Sequence, residues 1–187
     1  MWQQKLKQLE DNKQWDTAIE FMEMTLKNRT DRDVYIALIF LLMNLLVEEN
    51  FDISKHDFYA EKLKHYFAQS YPLFLHDPEY LFCIGITAVM SEWYLDLTQK
   101  DWEHMLQEAY RLAPNNILYQ WAYYSSLDLD IPDNKKIAHS YAQLITEKNS
   151  KLFEELHKRG AFGDYIEDCM IGWAKKVLDL HPYDDIQ

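Results

Sequence analysis

The chain has 187 residues, 19 of them Lys or Arg and 31 Asp or Glu, for a formal charge of −12. Four glycines and five prolines are too few to turn the many hairpins of a sandwich, barrel or propeller. An apolar fraction of 48% with 15% aromatics excludes a disordered acidic tail, which lacks groups to bury; the length predicts one domain, 1–187.

Helical periodicity dominates, and about nine helices are expected. Trp2 to Glu10 places Trp2, Leu6 and Leu9 on one face. Trp15 to Lys27 carries Ala18, Ile19, Met22 and Leu26 on one side and Asp16, Glu20, Glu23 and Lys27 on the other. The next helix starts near Asp31 and runs to Glu48. Its segment Val34 to Val47 is apolar except for Asn44, short of the ~20 residues a membrane helix needs, and so predicts a buried central helix.

After the Asn50-Phe51-Asp52 break, Ser54-Lys55-His56-Asp57 resembles a capping box with aspartate in place of glutamate. The helix it opens is expected to kink or end at Pro72. Asp77-Pro78-Glu79 is a start signal, with a cap, proline at the first helical position and an acid in the first turn. It opens a helix from Tyr80 to about Leu95. Thr98-Gln99-Lys100-Asp101 starts the next, ending at Ala113.

Ile117 to Leu127, an acidic loop from Asp128, and Pro132 to Lys148 follow. Ser150 caps a shorter helix that stops at Gly160, and Gly163 or Asp164 opens the last, to about Asp179.

The negative charge repels phosphate, which disfavours nucleic acid and anionic membrane and favours a basic protein partner. Met1-Trp2-Gln3-Gln4-Lys5 lacks the apolar core of a signal peptide, and Cys83 and Cys169 fit a reduced pair. A cytoplasmic protein is expected.

No catalytic constellation stands out. Glu61 and His65 share a helix face but lack a third metal ligand. Glu103-His104 lacks the rest of a zinc-protease motif. Glu20 with Glu23, Glu154 with Glu155 and Glu167 with Asp168 sit on faces that also carry lysines, unlike the cleft-facing pair of a glycosidase. No nucleotide loop or nucleophile elbow is present. The expectation is a protein that is not an enzyme and uses no cofactor or metal.

Three helices end alike, at Leu75-His76-Asp77-Pro78, Arg111-Leu112-Ala113-Pro114 and Asp179-Leu180-His181-Pro182. The first two prolines are 36 residues apart and the third lies 68 further on, against a tetratricopeptide unit of about 34. Leu81-Phe82-Cys83-Ile84-Gly85 resembles that family's first helix. Gln107-Glu108-Ala109-Tyr110-Arg111-Leu112-Ala113-Pro114 resembles the end of its second, and Trp15-Asp16-Thr17-Ala18-Ile19 the turn between them. The resemblance covers about two-thirds of the chain. It departs from the family pattern at an excess of about five residues around Trp93 to Asp101 and at the segment Glu49 to Lys55. It implies antiparallel helix pairs in an α-α superhelix, with an irregular helical bundle as the alternative.

Aromatic and acidic residues then mark a candidate binding surface. Trp93, Tyr94 and Trp102 crowd the excess segment, with Asp96 and Asp101 beside them. Tyr123 and Tyr124 precede Asp128, Asp130 and Asp133, and the tail adds Asp184 and Asp185. Tyrosine and tryptophan make good anchors because they bury large area at little rotamer cost. A small, acidic, repeat-like domain also resembles the immunity proteins of bacterial polymorphic toxin systems, including contact-dependent growth inhibition. That likeness implies occlusion of a cognate basic, nuclease-type toxin. The alternative is a tetratricopeptide-type adaptor or secretion chaperone that holds a peptide segment.

Overall fold

The computed structural model describes residues 2–146, 154–156 and 158–179. The protein is all-α, with nine α-helices, two 3₁₀ turns and no strand among the described residues. The helices are α1 (Trp2–Asp11), α2 (Trp15–Asn28), α3 (Arg32–Val47), α4 (His56–Phe74) and α5 (Pro78–Val89). They continue as α6 (Gln99–Leu112), α7 (Ile117–Ser126), α8 (Pro132–Thr146) and α9 (Ala161–Asp179). None is long and apolar enough to cross a membrane. Contacts divide the chain into two compact units, 1–119 and 120–187.

The first unit is built around α3. A helix that is apolar on every side must be buried on every side, and α3 packs against α2, α4 and α5. Leu38, Ile39, Leu41, Leu42 and Met43 are at most 1% exposed. Asp31 fixes where α3 begins, its Oδ1 accepting from the Asp33 and Val34 amides at 2.9 and 3.4 Å. Asp77 does the same for α5, accepting from the Tyr80 amide at 3.0 Å, with Pro78 at a position whose N–H would have no partner in any case.

Links of three residues between α1 and α2 and between α2 and α3 force each successive helix to double back. With α3 against α4 as well, α2 and α4 run in the same direction. Two rungs joining them confirm it. Asp16 of α2 takes the Lys55 ammonium and the Tyr59 hydroxyl, the latter at 2.7 Å. Seven residues on, Glu23 takes Lys62 and the Tyr66 hydroxyl, the latter at 2.8 Å. The two clamps are both Lys-x-x-x-Tyr.

At the α5/α6 crossing Gly85 lies against α6. A Cβ there would stand 2.6 Å from Leu106 Cδ2, so glycine sets how closely the two helices approach. Tyr80, fully buried, meets the hydroxyl of buried Ser70 at 2.7 Å.

Four boundaries differ from those expected. The turn before α4 is capped by Asp52, not from Ser54. Asp52 Oδ1 accepts the Ser54 amide at 3.0 Å, residues 53–55 form a 3₁₀ turn, and α4 itself starts at His56 with no side-chain cap. An aspartate two residues ahead of an open amide outcompetes a serine acting from inside the turn.

Pro72 does not end α4, which continues to Phe74. In the last turn proline removes only its own bond to the Ala68 carbonyl. Phe74 is meanwhile held between the rings of Tyr35 and Tyr80, at 6.0 and 5.5 Å.

The helix from Asp77 stops at Val89, not near Leu95. Ser91 closes it, donating its hydroxyl to the Thr87 carbonyl at 2.8 Å and its amide to the Ala88 carbonyl at 3.0 Å. A 3₁₀ turn, Glu92–Tyr94, follows, and Asp96 adopts φ 53°. The irregular segment, residues 90–98, overlaps the stretch from Trp93 to Asp101 only in part, since residues 99–101 already belong to α6.

In the second unit α9 opens at Ala161, ahead of Gly163. Gly160 has φ +60°, and its carbonyl accepts the Gly163 amide at 2.8 Å. Gly163 is needed for another reason: a Cβ there would sit 1.8 Å from the Leu156 carbonyl oxygen. Residues 154–156 are helical and pass against it. α8 and α9 pack together, with Ala138, Leu156, Phe162, Ile166 and Met170 buried. The Ser150 cap, Lys148 and the ending at Pro182 lie outside the described residues.

Candidate protein-binding surface

The α5–α6 connection, residues 90–98, is tied down rather than loose. Tyr94 OH meets His56 Nε2 of α4 at 2.8 Å, their rings 5.7 Å apart. Asp96 pairs with Lys64, two turns along α4 from His56. Trp102, in the first turn of α6, donates its indole N–H to Glu92 Oε2 at 2.7 Å. Asp101 Oδ2 accepts from the amide and the hydroxyl of Thr98 at 2.7 and 2.6 Å. Those bonds hold its carboxyl below the usual carboxylate range.

Trp93 is treated differently. It is 61% exposed, its ring 5.6 Å from that of Tyr94; Val89 and Met90, just before it in the chain, are 42% and 40% exposed. An exposed tryptophan on a segment held by side-chain bonds offers apolar surface whose backbone is already ordered. The five residues named for this surface thus fall into distinct roles. Trp93 is largely exposed with its ring against that of Tyr94, Tyr94 and Trp102 are half-buried with their polar edges bonded, and Asp96 and Asp101 are exposed but engaged.

In a helix running to Leu95, Val89 and Met90 would lie inside it, whereas the observed helix ends at Val89. The Ser91 hydroxyl was the signal that could have found the break.

The second set lies in the second unit. Tyr123 and Tyr124 are half-buried, their rings 5.1 Å apart and edge-on, and Tyr124 stacks on Tyr141 at 5.9 Å and 16°. Asp128 Oδ1 accepts the Asp130 amide at 2.9 Å, an Asx turn that orders the loop. Asp128, Asp130 and Asp133 are exposed, with Asp133 in the first turn of α8, where the helix dipole favours an acid. Asp184 and Asp185 lie outside the described residues.

Groups weighed for chemistry are dispersed. Glu61 and His65 are both exposed, and His65 lies edge-on to Tyr66 at 5.1 Å. Glu23 is taken by Lys62 and Tyr66, while Glu20 beside it is exposed. Glu154, Glu155 and Asp168 are exposed, and Glu167 is half-buried. Among the described residues, no three His, Cys, Asp or Glu side chains gather as a metal-binding group. No family model, curated protein or solved structure matches the chain.

Proposed function

We propose that this protein is a non-enzymatic binding module for a basic protein partner, with the Trp93 surface as its anchor. The observation that carries the proposal is the exposed indole of Trp93, set among acidic side chains on a segment whose other aromatics are bonded internally. A central apolar anchor with charged surroundings is the arrangement that concentrates binding energy in few residues. The overall charge of −12 adds long-range steering of a cationic partner.

The biological role that fits is immunity: neutralisation, in the cytoplasm, of a cognate nuclease-type toxin by covering its basic cleft. Carboxylates of the Trp93 segment, such as Asp96 and Asp101, would meet lysines and arginines evolved for phosphate, and Trp93 would slow dissociation.

The experiment is co-purification with the protein encoded immediately upstream, then an activity assay of that protein with and without this one. Inhibition, weakened about thirtyfold or more by Trp93→Ala, is the expected result. A neighbour without toxic activity, or one left fully active, overturns the immunity role. Tight binding of an isolated peptide in place of a folded toxin would establish an adaptor instead.

A further inference from the structure

Between the two rungs that join α2 and α4 lies a cavity of about 450 Å³. Its walls include Asp16, Ile19, Glu20, Glu23, Lys55, Phe58 and Lys62. The volume falls in the range of roughly 300–1,000 Å³ that ligand sites occupy.

The charges in it do not balance. Lys55 is spent on Asp16 and Lys62 on Glu23. Tyr59 and Tyr66 lock those carboxylates from the other side. Glu20 stands between them on the same face of α2, one turn from Asp16, with no ion pair or hydrogen bond to another described side chain. Where a third lysine on α4 would complete the ladder, the chain has Phe58. That ring is 52% exposed even though Lys62 Nζ rests 4.9 Å from its centre.

An unneutralised carboxylate facing an exposed aromatic ring over an apolar floor, Ile19, is the complement of one side chain. A guanidinium is flat enough to stack on a ring, forks onto a carboxylate, and sheds water more readily than an ammonium. An anion would meet three carboxylates and two lysines already neutralised. We propose that the α2/α4 groove accepts an arginine side chain presented by a partner, stacked on Phe58 and paired with Glu20.

This groove shares no residue with the Trp93 surface. The turn before α4 and α4 itself supply Lys55, Phe58 and Lys62 here, and α4 supplies His56 and Lys64 there. The proposal therefore stands whether or not the Trp93 surface binds a toxin.

The test titrates the full-length protein with N-acetyl-arginine amide and, in parallel, N-acetyl-lysine amide, following side-chain resonances by NMR. Saturable shifts centred on Glu20, Phe58 and Ile19 are expected with the arginine probe, and weaker binding with the lysine probe. Glu20→Gln and Phe58→Leu alter exposed side chains, so the fold persists, and each should weaken arginine binding about two- to fivefold. No saturable shift through the millimolar range overturns the proposal. So does equal binding of both probes, or an affinity unchanged in both variants. Each of these outcomes is read without the partner and leaves the Trp93 reading intact.

Discussion

Replacing Gly85 by alanine should destabilise the first unit, although alanine is the better helix former. The substitution gains about 1 kcal/mol in helix propensity. Against that, the new Cβ would stand 2.6 Å from Leu106 Cδ2, 3.0 Å from Leu106 Cγ and 3.5 Å from Met105 Cβ. Leu106 and Met105 are each 2% exposed, so neither can swing out to solvent, and overpacking of this kind costs about 1–3 kcal/mol. The net loss is about 1 kcal/mol, or a midpoint lowered by roughly 4 °C. The partner substitution makes the reasoning testable by sign. Leu106→Ala alone should cost about 2–5 kcal/mol through its cavity. In that background Gly85→Ala should become stabilising by up to ~1 kcal/mol, because the close neighbour is gone and Met105 remains at ordinary contact distance. Urea unfolding of the four proteins, followed by far-UV circular dichroism at unchanged m, gives the coupling. If Gly85→Ala stabilises equally in both backgrounds, the close approach of α5 and α6 is refuted.

Ser70→Ala should cost more than Tyr80→Phe, about 1–3 against 0.5–1.5 kcal/mol. The first leaves a fully buried phenol hydroxyl alone, whereas the Ser70 hydroxyl keeps the Tyr66 carbonyl at 2.7 Å; equal losses in urea unfolding would contradict this. Burial pushes the Tyr80 pKa above its ordinary 10.0. Stability held below pH 10 is then lost as pH rises past it, and Tyr80→Phe should flatten that alkaline decline in a pH series of melting curves. The Asp16 carboxyl is held below its ordinary 3.8 by the Lys55 hydrogen bond and then by that of Tyr59. Its contribution is complete above pH 3.8 and disappears as pH falls through the lowered value. With the side chain 49% exposed, Asp16→Asn should cost under ~1 kcal/mol at neutral pH, and the gap from the parent protein should close in acid. Asp77 both caps α5 and accepts Arg32 Nη1 at 3.2 and 2.9 Å. Asp77→Ala should therefore cost about 1–2 kcal/mol. Asp77→Asn, which keeps an acceptor for the Tyr80 amide, should cost about half that; equal losses would show that the cap contributes nothing.

For the candidate surface, composition alone does not distinguish Trp93, Tyr94 and Trp102. The fold separates them, since His56 and Glu92 take the polar edges of Tyr94 and Trp102 while Trp93 stays 61% exposed. His56 is 38 residues from Tyr94, so no window along the chain contains both. The α2/α4 cavity was hidden for the same reason. Its Lys-x-x-x-Tyr clamps are visible as letters at 55–59 and 62–66, but their carboxylate targets lie 39 to 43 residues away.

The all-α class, the buried course of α3 and the starts at Asp31 and Asp77 were legible in the chain as written. Each depends on periodicity or on a cap within one turn of its target, and such local terms act before any helix meets another. The continuation past Pro72 and the place of Gly163 inside α9 could not be read that way. They follow from Phe74 wedged between Tyr35 and Tyr80 and from the Leu156 carbonyl pressed on a residue without a side chain. Contacts between helices decide such points, because packing energy outweighs propensity once surfaces are buried. Which carboxylates remain unpaired, and which aromatic stays in solvent, belongs to that second group.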